Sequence, residues 1–149
     1  EGGIHTPMIA HWPKGISGKG RVDQSLSHLI DIMPTILDAT KVEAPAKSEG
    51  EPRIPWNGHS LLSALQGKGR IDHDRLFFSH AKGRALRKGN WKLVRVGQPK
   101  KNKPGWELYD LSIDPNETKD LAKQMPNKVK LLSQEWSAWE RELLSEAKN

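Results

Sequence analysis

The sequence predicts an α+β chain: a four-stranded antiparallel sheet packed on a C-terminal helix, preceded by a region of short strand and helix signals. Three observations carry this. Between residues 76 and 111, apolar side chains recur at every second position in short runs separated by tight reversals. After Pro126 the period lengthens, with Val129, Leu132, Trp136, Trp139 and Leu143 at spacings of 3, 4, 3 and 4, which makes one apolar stripe on a helix. Ahead of residue 71 the signals are short and mixed, a strand run at 6–12 and two helices, with prolines and charges across 41–57.

Taken in order, Gly2-Gly3 reads as a sharp turn leading into the run Thr6–Trp12, a strand closed by Pro13, which lacks a ladder donor. The opening in mid-turn, without an initiator Met or a signal-like segment, reads as a fragment or a processed piece. Residues 14–19 are a Gly- and Lys-rich loop. Asp31 is an N-cap residue, Pro34 fits a first helical turn, and Ile32, Ile36 and Leu37 share a face, so a helix spans about 32–40. Pro45, Pro52 and Pro55 mark 41–57 as a surface excursion, and Ser60–Gly67 is a short helix with a Ser cap and a Gly stop. Four strands follow at 76–80, 84–87, 91–96 and 106–111. Lys88-Gly89-Asn90 reverses the chain between the second and third, and the basic tip 98–105 separates the third from the fourth. Short sequential connections favour a meander. The helix stripe, including Trp136 and Trp139, must lie against the sheet.

Lys and Arg number 24 against 18 Asp and Glu, a formal charge of +6. A basic balance invites polyanions, but the excess is scattered apart from Lys100, Lys101 and Lys103. The absence of Cys excludes disulfides, thiolate zinc and a cysteine nucleophile. No apolar run reaches the roughly 18 residues of a membrane span. Six His suggest a metal, yet on a strand of about 3.3 Å per residue His5 and His11 stand roughly 20 Å apart, too far for one ion. His28 and Asp31 match no metal-ligand spacing, and His73 between Asp72 and Asp74 reads as a solvated loop. There is no Gly-x-Ser-x-Gly elbow, phosphate loop or dinucleotide fingerprint, so no complete catalytic machine. The binding candidates are His80 at a strand end and Arg84 beside it, since a His and an Arg can hold a sulfate or phosphate by charge-assisted bonds. Register alone decides whether Arg84 and Arg87 face a cleft or solvent. Trp12 reads first as core, with lining an approach to the site as its alternative.

Several blocks, in order, resemble the C-terminal part of formylglycine-dependent sulfatases of the arylsulfatase type. They are Glu1-Gly2-Gly3-Ile4-His5-Thr6-Pro7, Asp31-Ile32-Met33-Pro34-Thr35, Gly58-His59-Ser60-Leu61, Gly83-Arg84-Ala85-Leu86-Arg87 with Gly89-Asn90-Trp91-Lys92-Leu93-Val94, Trp106-Glu107-Leu108-Tyr109-Asp110-Leu111, and Asp114-Pro115-Asn116-Glu117-Thr118 with Asp120-Leu121-Ala122. The resemblance implies an alkaline-phosphatase-like α/β parent, with 1–70 as the end of its catalytic domain and 71–149 as a C-terminal subdomain bordering the substrate cleft. It implies hydrolysis of a sulfate ester by a formylglycine hydrate, with Ca2+ polarising the sulfate, and both would lie upstream in the N-terminal catalytic part. Catalytic residues and metal ligands are then absent here. His80, Arg84 and, more weakly, His5 (where the family often has Arg) become substrate-side contacts. An exported protein, periplasmic or extracellular, is implied too, with no nucleic-acid partner. Phosphonate hydrolases share the scaffold. Two other readings stand beside this one: a basic nucleic-acid-binding module using the 95–104 loop and Trp residues, and a non-catalytic subunit completing a parent fold.

Overall fold

The computed structural model describes residues 2–16, 18, 20–44, 47–48, 51–52, 57–69, 73–97 and 105–146. The expected basic tip with Lys100, Lys101 and Lys103 lies outside the described residues, as do Pro45 and Pro55. The chain divides into two compact units, Pro7–His73 and a second formed by Glu1–Thr6 with Asp74–Asn149.

In the unit Pro7–His73, a 3-10 turn at Leu29–Asp31 runs directly into helix α1 (Ile32–Thr40). Helix α1 ends with Lys41 in the left-handed region (φ 57), and Val42 N–H bonds back to Leu37 O at 3.1 Å. Two-residue strands β1 (Lys47–Ser48) and β2 (Glu51–Pro52) pair antiparallel. Helix α2 (Leu62–Leu65) is shorter than the expected 60–67. Its N-cap is Leu61 rather than the expected Ser60, and Ser60, one residue earlier, accepts at its Oγ from Leu62 N–H at 3.2 Å. Among the described residues of this unit, Leu61, Leu62 and Ala64 are the buried apolar ones, while Met8, Ile9, Val22, Leu29, Met33 and Ile36 stay exposed.

The strand expected at 6–12 does not form: those residues are non-strand, and Ile9 is 93% exposed. A strand is stabilised by a hydrogen-bonded neighbour, and among the described residues none pairs with this run, whose flanking prolines offer no N–H. The strand-based separation of His5 and His11 therefore has no counterpart in the fold.

In the other unit, β3 (Arg75–His80), β4 (Gly83–Lys88), β5 (Trp91–Val96) and β6 (Glu107–Asp110) form the expected antiparallel meander in sequence order. Register places Phe77 opposite Leu86, Leu86 opposite Leu93 and Leu93 opposite Leu108. This row faces α3 (Pro126–Glu146), where Leu86, Leu93 and Leu108 close a core with Leu132 and Trp136. Phe77 stacks on Trp139 with centroids 4.8 Å apart and planes within 2°. Leu143, the last residue of the predicted stripe, is 46% exposed, so the contact ends a turn earlier than the period suggests. Ion pairs fasten the rim: Glu135 on α3 accepts from Arg75 at 3.0 Å and from Lys88 at 2.8 Å. Lys128 sits 3.6 Å above the Trp91 ring. Below β6, Asp114 accepts from Thr118 and Lys119 N–H (2.8–3.0 Å), which closes a reversal at Asp114-Pro115.

Candidate functional site

Side chains alternate across a strand, so the register that points Leu86 at α3 turns its neighbours to the other face. Leu76, Phe78 and His80 of β3, Ala85 of β4, and Lys92, Val94 and Val96 of β5 share that opposite face. An open depression of about 220 Å³ lies there. Phe78, Ala85, Val94 and Val96 line it with Gly3 and Ile4, His80 and Lys92 supply its polar groups, and Gly83, Arg84 and Arg95 complete its edge. The floor is apolar because the sheet is thin: one face serves the core, and the other carries valines and a phenylalanine that nothing in α3 covers.

His80 ends β3, exposed, opposite Gly83. The corner behind it is stiff. Ala81 takes a left-handed conformation (φ 49), Gly97 N–H bonds Lys82 O at 3.1 Å, and Arg84 Nη1 donates to Ala81 O at 3.1 Å and Gly83 O at 3.0 Å. A β-branched or bulky side chain at Ala81 would add strain to that conformation. Arg84 itself faces the helix. Its guanidinium lies 5.4 Å from the centroid of Trp136, with Nε 3.5 Å from Glu140 Oε1. His80 and Arg84 thus occupy opposite faces of the sheet, and Arg84 acts on the His80 corner through backbone carbonyls. Arg87 shares the His80 face, two residues beyond Ala85 on β4. His5 is exposed, one residue beyond Ile4, and does not line the depression.

Lys92 is buried and its ammonium is held by Glu117, so its charge is engaged within the protein. Burial raises the Glu117 carboxyl, and the Lys92 hydrogen bond and charge outweigh that and lower it. Nearby, Tyr109 Oη donates to Glu107 at 2.9 Å, and burial, then Glu107, push its phenol upward. The imidazole presented at the depression is that of His80.

A second polar cluster, in the unit Pro7–His73, went unseen in the sequence. Asp31 holds the expected N-cap position of α1, but its side chain makes no capping bond to that helix, and its carboxylate is fully buried. It accepts from His28 N–H at 2.7 Å, from His59 N–H at 2.8 Å and from His73 Nε2 at 2.9 Å. Burial alone would raise this carboxyl, but the His59 and His28 amides and then His73 hold it below its ordinary value of 3.8. His73 is buried, not solvated, and its ring stacks on His59 at 4.7 Å. Gly58 makes room: a Cβ there would lie 2.1 Å from Ile30 O. Thr35 adds a further tie, donating to Asp31 O and accepting from Leu61 N–H. The cluster joins residues 28, 31, 59 and 73, and its Asp31–His73 contact alone spans 42 positions in sequence. The only signal for it lay in the Asp31 and Gly58-His59 blocks, whose spacing names no partner.

Among the described residues no group of three or more His, Asp or Glu is placed to hold a metal ion, and no helix is long and apolar enough to cross a membrane.

Residues 1–141 match the family described as N-sulphoglucosamine sulphohydrolase, C-terminal. The chain is 36% identical to a sulfatase of Schizosaccharomyces pombe over 149 residues, covering 95% of this chain and 26% of that protein. It is 30% identical to rat arylsulfatase K, covering 91% and 24%. It thus spans about a quarter of the length of these relatives. A solved structure described as a complex with its substrate D-glucosamine-2-N,6-O-disulfate shares the fold, with a TM-score of 0.53 and 23% identity over 87% of this chain and 27% of that one.

Proposed function

The chain belongs to the N-sulphoglucosamine sulphohydrolase C-terminal family, and on that premise we propose that it is the closing portion of a sulfatase that hydrolyses sulfate esters. The match over residues 1–141 carries the reading. Against a nucleic-acid surface among the described residues, Arg84, Arg95, Lys88 and Lys128 are engaged with α3 or with aromatic rings of their own unit.

The part assigned to this chain is binding and orientation. His80, presented by the Ala81–Gly83 corner above an apolar floor, hydrogen-bonds a substrate oxygen while the aryl or sugar body rests on Phe78 and Val94. Arg84 positions that corner. His5, at the neighbouring turn, is the weaker substrate-side contact. The calcium ion and formylglycine of the resemblance do not fit these residues: the sequence has no Cys- or Ser-x-Pro-x-Arg motif, and the described residues bring no three metal-ligating groups together. Both would come from another part of the longer protein, the N-terminal catalytic portion. The exposed apolar residues of the unit Pro7–His73, Met8, Ile9, Met33 and Ile36 among them, support packing against such a portion. Export to the periplasm or cell exterior belongs to the same reading.

The test is sulfate release by the full-length protein from an aryl sulfate and from sulfated monosaccharides, with the 149-residue chain alone inactive. His80→Ala should lower kcat/KM more than Lys101→Ala, a lysine outside the described residues. Equal, negligible effects would remove His80 from the site; no sulfate release from any ester would remove the function.

A further inference from the structure

The helix-facing side of β4 and β5 carries two like charges directly opposite one another. Arg84 pairs with Arg95 across the strands, on the face that also carries Leu86 and Leu93. Opposed side chains of an antiparallel pair stand about 4.5–5.5 Å apart at Cβ, so like charges there repel. Each guanidinium rests on an indole: Arg84 lies 5.4 Å from the centroid of Trp136, and Arg95 4.7 Å from that of Trp106. The two rings are themselves in contact, with centroids 5.8 Å apart. Stacking occupies the flat face of a guanidinium and leaves its N–H groups, which lie in the plane, still to be satisfied.

Several of those donors are left over. Arg84 Nε, Arg95 Nε and Trp136 Nε1 are buried without a hydrogen-bond partner, whereas buried polar groups almost always have one. Arg84 Nη1 is spent on the carbonyls of Ala81 and Gly83, and Glu140 Oε1, 3.5 Å from Arg84 Nε, makes an ion pair without a hydrogen bond. Among the described residues no carboxylate pairs with Arg95, and the segment 98–104 that follows β5 carries no Asp or Glu. Three orphaned donors beside one carboxylate make a site short of acceptors, so what it lacks is an anion. The burial of the donors keeps the occupant small, and two guanidinium forks call for several oxygens on one centre. A tetrahedral inorganic oxyanion meets both conditions. Both arginines also reach the edge of the open depression, which gives such an ion a path in.

We propose that Arg84, Arg95 and the Trp136 indole N–H hold one free inorganic oxyanion, of the phosphate or sulfate type, between β4–β5 and α3. The ion offsets the repulsion of the two guanidinium groups. Because Arg84 also donates to the carbonyls of Ala81 and Gly83, occupancy stiffens the corner that presents His80. The site stands on strand register and orphaned donors, independently of the sulfatase reading. The test compares the full-length protein in sodium chloride and in sodium phosphate of equal ionic strength. Phosphate should raise the Tm of the wild type, since a ligand bound only by the folded state stabilises it. Arg95→Gln should weaken phosphate by about 10-fold or more and lose that gain, whatever its Tm in chloride. Arg95→Lys, which keeps the charge without the fork, should keep part of the gain. In the wild type, phosphate should also slow hydrogen exchange at Gly97 N–H, which closes the His80 corner on Lys82 O. Glycerol 1-phosphate, whose ester arm needs room, should do so less.

The same phosphate-linked gain in wild type and Arg95→Gln would overturn the site and place the bound ion elsewhere in the longer protein. No gain in the wild type would overturn it too. Tighter binding of glycerol 1-phosphate than of phosphate would overturn the assignment to a free ion. If the protein releases no sulfate from any ester yet shows the Arg95-dependent gain, the oxyanion site stands and the enzymatic reading falls. Turnover of a sulfate ester without that gain would remove the oxyanion site alone.

Discussion

The two units solve the problem of holding a small fold together in opposite ways. The sheet-and-helix unit is closed by apolar side chains: Leu86, Leu93, Leu108, Leu132 and Trp136 meet between one sheet face and one helix. Among its described residues the unit Pro7–His73 buries the apolar side chains of Leu61, Leu62 and Ala64, and it ties its segments to one buried carboxylate. An apolar core is tolerant, because many side chains share the load and packing is non-directional. A polar hub is not, because each donor has one acceptor and loses it entirely when Asp31 goes.

Trp136→Ala tests the first half of that contrast. It empties the centre of the core and should cost about 3–5 kcal/mol, with hydrogen exchange in the full-length protein accelerating across Arg75–Asp110 and α3 while the amides of 28–38 keep their protection. Exchange spreading equally through both units would show that they are one cooperative block.

Asp31→Ala tests the second half. Removing the acceptor leaves the His28 and His59 amides and the His73 ring without it, at about 3 kcal/mol, and the loss of protection should be confined to the unit Pro7–His73. The same carboxylate sets an acid limit. Its folded-state value is depressed, so its contribution is present above the ordinary aspartate range and is lost as pH falls below 3.8 through the depressed value. An acid titration followed by exchange should show this unit opening first, and Asp31→Asn should remove that early limb. An unaltered acid profile in Asp31→Asn would falsify the assignment.

Gly58→Ala sharpens the same point at smaller cost, about 1–3 kcal/mol. The added methyl meets backbone, Ile30 O, which has no side-chain freedom to move aside. Thermal unfolding of the full-length protein reads the effect directly. Glu135→Ala, which removes the partner of Arg75 and Lys88 at the rim of the sheet unit, should cost the least, about 0.2–1 kcal/mol, and the loss should shrink further in high salt.

Legibility followed the same division. Strands β3 to β6 and helix α3 were readable because their contacts are local: adjacent strands joined by short turns, and a stripe that repeats on one helix. The 6–12 strand was misread for the complementary reason. An apolar run such as Met8–His11 states that a residue prefers burial and says nothing of whether a neighbour exists to hydrogen-bond it. Asp31 does stand at the N-cap of α1, but the partners of its carboxylate, His59 and His73, lie 28 and 42 residues away, beyond the reach of a local reading. Trp12 was expected in the core first, yet it is 39% exposed, its ring laid on Gly15. At the candidate site, His80 was located correctly at a strand end, but the face of Arg84 waited on the register.

By itself, then, the sequence determined the meander, its order, the helix that covers it and the family to which the chain belongs, all of which depend on periodicity and on blocks contiguous in the chain. Only the tertiary structure decided that His80 and Arg84 part company across the sheet, that Asp31 gathers three histidine residues, and that Arg84 and Arg95 meet over Trp136 and Trp106. The reason is physical: side-chain periodicity is a property of neighbouring residues, whereas a directional bond or a shared cavity exists only once segments far apart in the chain have been brought within about 3 Å of one another.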